Sequence, residues 1–377
     1  MTKTKLLYLV AGARPNFMKL APLVRALDAR RDALTYRIVH TGQHYDRDMS
    51  DVFFEELGIP KPDHHLGAGG GSHAQQTAKV MVAFEELCVA NPPDAVVVVG
   101  DVNSTLACSI VAKKLGIGVA HVEAGLRSGD IAMPEEVNRL VTDAISDWFF
   151  VTEPSGVEHL MREGKAPERV FYVGHVMVDN VLYQRALLAR ASTATPSAAA
   201  GFKAANPRYG VVTLHRPSTV DDAETFGRVA LALRDVSQRL PLIFPVHPRT
   251  RANIEKFGIE LGADVHLVPP MAYMGFLDLW KDAVMVLTDS GGLQEETTAL
   301  GIPCLTLRDN TERPVTVTDG TNVLVGRDPQ RIRDEVDKIL SGRGKTGRRP
   351  HLWDGNAAVR IVEILERVLA QPAHGSH

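Results

Sequence analysis

The chain is poor in cysteine, has no long run of basic residues, and contains no apolar stretch long enough to cross a bilayer. Each shortage removes a class of protein. Cys88, Cys108 and Cys304 are the three cysteines in 377 residues. Their number is odd and none forms a C-x-x-C pair, so a disulfide framework or a cysteine zinc knuckle is not expected. Reduced, buried thiols in a cytoplasmic protein are expected instead. The formal net charge is −3, with 42 Lys and Arg against 45 Asp and Glu, which argues against nucleic acid as the main partner. Residues 1–10 faintly imitate a secretory signal, but the apolar part is short and runs into Arg14-Pro15, the pattern of a first core strand. No segment has the length of a membrane span, so no membrane partner is expected. No metal or cofactor motif stands out either. His64-His65 has no partner at ligand spacing, and Asp46-Arg-Asp48 precedes a helical pattern instead of ending a strand. Gly344-Lys345-Thr346 has Ile339 where a phosphate-binding loop needs glycine, and the glycine run from Gly67 fails the dinucleotide fingerprint at Ser72.

Apolar residues make up 45% of the chain and charged residues 23%, enough for large cores in a globular protein. The length suits two domains. Short Val/Ile-rich runs alternate with segments of helical period. Strands are expected at 6–11, 36–41, 95–100, 118–122, 148–151 and 170–173, and again at 209–214, 242–246, 265–268, 284–287, 304–307 and 322–325. Runs apolar on both faces and separated by helices predict doubly wound parallel sheets of an α/β protein. An Ala/Ser/Thr/Pro-rich break near 190–208 reads as a connection. The expected domains are therefore 1–185 and 205–353, with a closing amphipathic helix over 354–370. Each half opens alike, on a strand ending in Arg-Pro: Arg14-Pro15 and Arg216-Pro217. Two similar halves would take a ligand between them.

The most informative segment runs from Val284 to Glu296: an apolar strand, then Thr288-Asp289-Ser290, then Gly291 and Gly292, then a helix-forming stretch. Such a turn presents backbone N–H groups and the positive end of a helix dipole to a phosphate. Glu296, about one turn on, is placed to accept from ribose hydroxyls. A tight turn capped by Ser290 is the plainer alternative. In the first half, Asp101, Glu123, Glu135 and Glu136 fall at strand ends or a helix start, where a carboxylate is either a cap or part of an acid/base set. Carboxylates gathered in one place push one another's pKa apart, and Lys19 and Arg139 would moderate the repulsion. The second half offers His215-Arg216, His247-Pro-Arg249 and Arg313, suited to anions.

Together these segments resemble the non-hydrolysing UDP-N-acetylglucosamine 2-epimerases almost end to end. The resemblance rests on Gly12-Ala-Arg-Pro-Asn-Phe-Met-Lys19, Thr41-Gly-Gln-His44, Gly100-Asp101, His121-Val-Glu-Ala-Gly-Leu-Arg127, Pro134-Glu-Glu-Val-Asn-Arg139, His215-Arg216, Pro245-Val-His247, Asp289-Ser-Gly-Gly-Leu-Gln-Glu-Glu296 and Thr311-Glu-Arg-Pro314. It implies a GT-B-like fold of two Rossmann-type domains, with the last helix returning to the first. It implies a cytoplasmic homodimer serving cell-surface polysaccharide synthesis, and interconversion of UDP-N-acetylglucosamine with UDP-N-acetylmannosamine through 2-acetamidoglucal, without a cofactor. By matched position, Asp101, Glu123 and Glu135 would be the acid/base set, supported by Lys19, Arg139 and His215. Arg14, Ser290, Gly291, Gly292, Glu296 and Arg313 would contact UDP, and Phe276 would line the uracil pocket. Asn16, Met271 and His175 stand where glutamate, glutamine and asparagine are frequent. A sister group acting on UDP-2,3-diacetamido-2,3-dideoxyglucuronic acid shares the motifs. Rival readings are a hydrolysing epimerase releasing N-acetylmannosamine, a glycosyltransferase of the same architecture, and a nucleotide-sugar sensor without chemistry.

Overall fold

A computed structural model describes residues 4–42, 51–190 and 200–370. The chain forms two compact units, one of residues 1–180 with 351–377 and one of 181–350. Asp46-Arg-Asp48, Gln43-His44 and most of the expected connection, 191–199, lie outside the described residues.

The first unit is built on a seven-stranded parallel sheet: β1 (Lys5–Ala11), β2 (Leu34–His40), β3 (His64–His65), β4 (Ala95–Val99), β5 (Gly118–Val122), β6 (Trp148–Val151) and β7 (Val170–Tyr172), in the order β3-β2-β1-β4-β5-β6-β7. Alternate side chains of β1 supply opposite cores. Leu7, Leu9 and Ala11 pack with the helices Arg14–Asp28 and Ala357–Ala370. Tyr8 and Val10 pack with Val80, Phe84, Cys108 and Val111 on the other face. A strand with two buried faces must be apolar throughout, which is why β4 reads Ala-Val-Val-Val-Val and is buried at every position. The second unit holds six parallel strands: β8 (Gly210–Thr213), β9 (Leu242–Pro245), β10 (Val265–Val268), β11 (Met285–Thr288), β12 (Cys304–Thr306) and β13 (Asn322–Leu324), ordered β10-β9-β8-β11-β12-β13.

All twelve expected strands are present within two residues at each end. The thirteenth, β3, is a two-residue edge strand whose His64 and His65 pair with Val39 and His40. It is too short and too polar to show a periodic signal. The three cysteines are free and buried, as expected. No helix among the described residues is long and apolar enough to cross a membrane.

In each sheet the strand order reverses at one place, between β1 and β4 and between β8 and β11. There the connecting helices leave toward opposite faces, so the carboxyl ends of the two strands part and open a crevice. The residues of interest cluster at these two points.

The final helix, Ala357–Ala370, belongs to the first unit. Arg30 donates to Glu363 and Glu366 on it at 2.6 and 2.9 Å. The Asp179 carboxylate accepts from the N–H groups of Ala357 and Ala358 at 3.2 and 2.7 Å, satisfying two helix-start donors. Burial pushes the Asp179 carboxyl up to about 6 against those bonds. Because this folded-state value is raised, the contribution of Asp179 is largest at low pH and declines as pH rises through 6. Asp179→Ala should therefore cost about 1–2 kcal/mol, the usual worth of a helix cap. The gap from wild type should narrow between pH 4 and pH 7 in urea unfolding monitored by far-UV circular dichroism.

Candidate active site

At the first reversal point, Asn16 fastens the turn leaving β1. Its Oδ1 accepts from the Gly12 and Ala13 N–H groups at 3.3 and 2.9 Å, and its Nδ2 donates to the Val99 carbonyl at 3.0 Å. One buried amide thus ties the ends of β1 and β4 together, a task that needs a donor as well as acceptors. A carboxylate at that position has no proton to give Val99 when ionised.

Gly100 and Asp101 follow β4. Gly100 has φ of +70°, and a Cβ there would lie 3.1 Å from Lys19 Nζ and 3.6 Å from Glu123 Oε2. The glycine is thus required by both backbone and space. Lys19 Nζ donates to Glu123 Oε2 at 2.5 Å, with both side chains largely buried. Arg139 donates through Nε and Nη2 to Asp101 Oδ2 at 3.0 and 2.6 Å. The Asn138 amide donates to the Asp101 carbonyl at 2.8 Å. Carboxylates at two neighbouring strand ends are therefore each paired with a cation, Glu123 with Lys19 and Asp101 with Arg139, which also bonds Glu136.

Glu123 carries a second signature. Its φ is +72°, one of two non-glycine residues with a left-handed backbone among the described residues. For a glutamate this costs on the order of 1–3 kcal/mol, and such strain concentrates at functional positions. The imidazole of His175, fully buried beneath it, has Nδ1 3.9 Å from Glu123 Oε1 and stacks edge-on against Trp353.

The two adjacent glutamates at the start of the helix Pro134–Ile145 differ sharply. Glu136 is buried and accepts from the Ser128 and Gly129 N–H groups and from Arg139, which outweigh its burial and hold its carboxyl below the usual range. Glu135 is exposed. Structural duty thus falls to Glu136, leaving Glu135 available for other chemistry. Arg14, at the first turn of its helix, lies over the Phe53 ring at 4.7 Å.

At the second reversal point, Asp289 is fully buried and organises the end of β8. It accepts from the His215 N–H at 3.0 Å and the Arg216 N–H at 2.9 Å, and its Oδ1 lies 3.0 Å from His215 Nδ1. Burial alone would raise its carboxyl, but these partners prevail and hold it below the ordinary value. The helix Gly291–Leu300 begins at Ser290, whose hydroxyl makes no capping bond. The plainer reading of that serine as a side-chain cap is therefore set aside. The Ser290 N–H is instead turned back onto Thr288 Oγ1 at 2.9 Å.

Glu296 lies inside the unit and accepts from the Tyr273 hydroxyl at 2.9 Å. Burial pushes its carboxyl up to about 8, Tyr273 opposing and Glu295 reinforcing the rise. Phe276 shares the helix Tyr273–Trp280, so the uracil and ribose candidates are brought to one neighbourhood. Arg313 is bonded to Glu295, and its backbone N–H reaches Thr311 Oγ1 at 3.0 Å. Thr311 Oγ1 in turn donates to Gln294 Oε1 at 2.7 Å, which fastens the Arg313 loop to the Ser290 helix. Asp289, Tyr273 and Gln294 have no role assigned from sequence. Asp289 alone carries a signal there, as the charged residue ending an apolar strand.

A family model described as UDP-N-acetylglucosamine 2-epimerase matches residues 25–366. The chain belongs to the UDP-N-acetylglucosamine 2-epimerase family. A relative of that name from Methanocaldococcus jannaschii is 38% identical over 95% of this chain and 98% of its own length. A UDP-2,3-diacetamido-2,3-dideoxy-D-glucuronate 2-epimerase from Pseudomonas aeruginosa is 39% identical over 95% of this chain and 99% of its own. Among solved structures, the M. jannaschii UDP-GlcNAc 2-epimerase in complex with UDP-GlcNAc and UDP superposes with a TM-score of 0.84 at 38% identity, covering 96% of this chain and 99% of that one. The GT-B-like pair of parallel-sheet units expected from the sequence is the architecture of this epimerase family.

Proposed function

We propose that the protein inverts C2 of UDP-N-acetylglucosamine without hydrolysis, giving UDP-N-acetylmannosamine. The observation that carries this reading is the placement of Asp101 and Glu123 on adjacent strand ends, Glu123 paired with Lys19 and Asp101 with Arg139. Inversion at a carbon needs one group to take a proton from one face and another to return one to the opposite face. One carboxylate removes the C2 proton, the C1–O bond breaks with its electron pair passing to the β-phosphate of UDP, and a C1–C2 double bond forms. A second carboxyl group then protonates C2 from the other side, and the UDP oxygen re-forms the bond to C1. Asp101, Glu123 and Glu135 are the acid/base set, supported by Lys19 and Arg139. Charge gathers on the diphosphate as it leaves, so the N–H groups of Gly291 and Gly292 and the Ser290 hydroxyl, with Arg14, Arg313 and His215, stabilise the transition state more than the bound substrate. Glu296 takes the ribose and Phe276 the uracil.

The near-equal likeness to the P. aeruginosa relative supports a second reading on the sugar alone, with UDP-2,3-diacetamido-2,3-dideoxyglucuronate as substrate. Incubation with each UDP-sugar in heavy water, followed by proton NMR, tests both. The expected result is deuterium at C2 and appearance of the 2-epimer with no free sugar. Accumulating N-acetylmannosamine would assign a hydrolysing enzyme. Saturable binding without C2 exchange would refute epimerisation.

A further inference from the structure

Behind the proposed acid/base set lies a fully buried ionisable pair that the reaction does not touch. His121, on β5, and Asp143, near the end of the helix Pro134–Ile145, are both 0% exposed, and Nδ1 and Oδ1 approach to 2.6 Å. Burying two such groups is costly unless every polar atom is used. They are used in a particular way. His121 Nε2 lies 2.9 Å from the Gly100 carbonyl, the residue before Asp101. Asp143 Oδ2 accepts from the Gly125 N–H at 3.0 Å, two residues after Glu123, and from Arg127 at 2.7 Å. The pair therefore grips both turns that carry the reacting carboxylates, from the side away from solvent. The same helix supplies Glu135, Arg139 and Asn138, so Asp143 also sets how that helix registers against β5.

The Glu123 turn needs such a grip. Its left-handed backbone is strained, and strain of this kind persists only where surrounding contacts over-determine it. The Gly125 N–H bonded to Asp143 is such a contact, and only glycine fits there, because a Cβ would meet the Gly156 carbonyl oxygen at 2.3 Å.

We propose that His121 and Asp143 form a positioning dyad that fixes the Gly100–Asp101 and Glu123–Gly125 turns relative to each other, and so sets the geometry of proton removal and return at C2. The proposal rests on the epimerase reading above. Neither residue touches substrate.

Two variants separate the arms of the dyad. His121→Asn keeps an amide donor near Asp143 but cannot reach Gly100, while His121→Gln keeps reach to Gly100 but displaces the donor facing Asp143. Asp143→Asn removes the shared charge. Each should lower kcat about 10- to 100-fold, the usual effect of misplacing reacting groups by an ångström or less. KM and the affinity for UDP, whose proposed binders lie mostly in the other unit, should stay within about three-fold of wild type on the same argument. Loosened turns should also slow C2 exchange, so the kinetic isotope effect with C2-deuterated substrate should rise. Wild-type kcat in folded His121→Asn and His121→Gln would overturn the proposal, as would a parallel loss of UDP affinity, which marks a general structural role. Should Asp143→Asn fail to fold, the two His121 variants decide. Absence of C2 exchange in the wild-type protein would instead sink the epimerase reading itself, a separate outcome.

Discussion

Glu123→Gln and Asp101→Asn are each expected to lower turnover by about 10²- to 10⁴-fold, the range for loss of a general acid or base. That corresponds to roughly 3–5 kcal/mol of transition-state stabilisation. Both substitutions keep side-chain shape and an acceptor oxygen, so Lys19 and Arg139 retain a partner, though a weaker one. Binding of UDP, followed by titration calorimetry, should change by less than about three-fold because the proposed diphosphate donors are left intact. Glu123→Gln keeps the strained left-handed backbone, whereas Glu123→Gly should relieve it. The glycine variant should therefore be inactive and yet lose little stability beyond that of its broken Lys19 bond. Wild-type rates in both Glu123→Gln and Asp101→Asn would remove these carboxylates from the chemistry.

Glu296→Gln should reverse sign between stability and binding. The Glu296 carboxyl is raised from its ordinary value to about 8 by burial, so the folded state favours its protonated form. A group raised in this way contributes its stability below about pH 4.5 and loses it progressively as pH rises toward 8. Glutamine mimics the neutral form at every pH. The variant should match wild type near pH 4.5 and exceed it near pH 8.5 by about 2–5 kcal/mol, since each tenfold change in proton affinity is worth about 1.4 kcal/mol. A higher melting temperature at pH 8.5 with little change at pH 5 would show this. If Glu296 accepts from the ribose, UDP favours its ionised form, so binding to wild type should release a proton near pH 7, seen as a buffer-dependent calorimetric enthalpy. The variant should bind UDP more weakly and release no proton. Equal stability slopes in the two proteins would exclude a raised Glu296.

Much of the architecture is legible because parallel strands covered on both faces cannot hide. β4 and β5 announce themselves as Ala-Val-Val-Val-Val and Gly-Val-Ala-His-Val, and only a buried sheet tolerates such runs. His121 breaks the second run, and that is the one visible sign of the dyad. Its partner Asp143 sits in an amphipathic helix where any acid passes for a solvated residue. The choice between Glu135 and Glu136 is equally hidden, since neighbours in sequence point different ways around a helix and only the Ser128–Gly129 loop shows which is consumed. β3 escapes notice because two histidines carry no period.

Local order, strand by strand, and the residue types at strand ends are thus settled by the chain alone, because burial on both faces and the chemistry of helix starts act over a few residues. Which of those residues share a hydrogen bond is decided only in the folded units. Lys19 and Glu123 stand 104 positions apart, and His215 and Asp289 stand 74 apart. No local pattern encodes such pairs, since they follow from where the strand order reverses and which carboxyl ends it brings together.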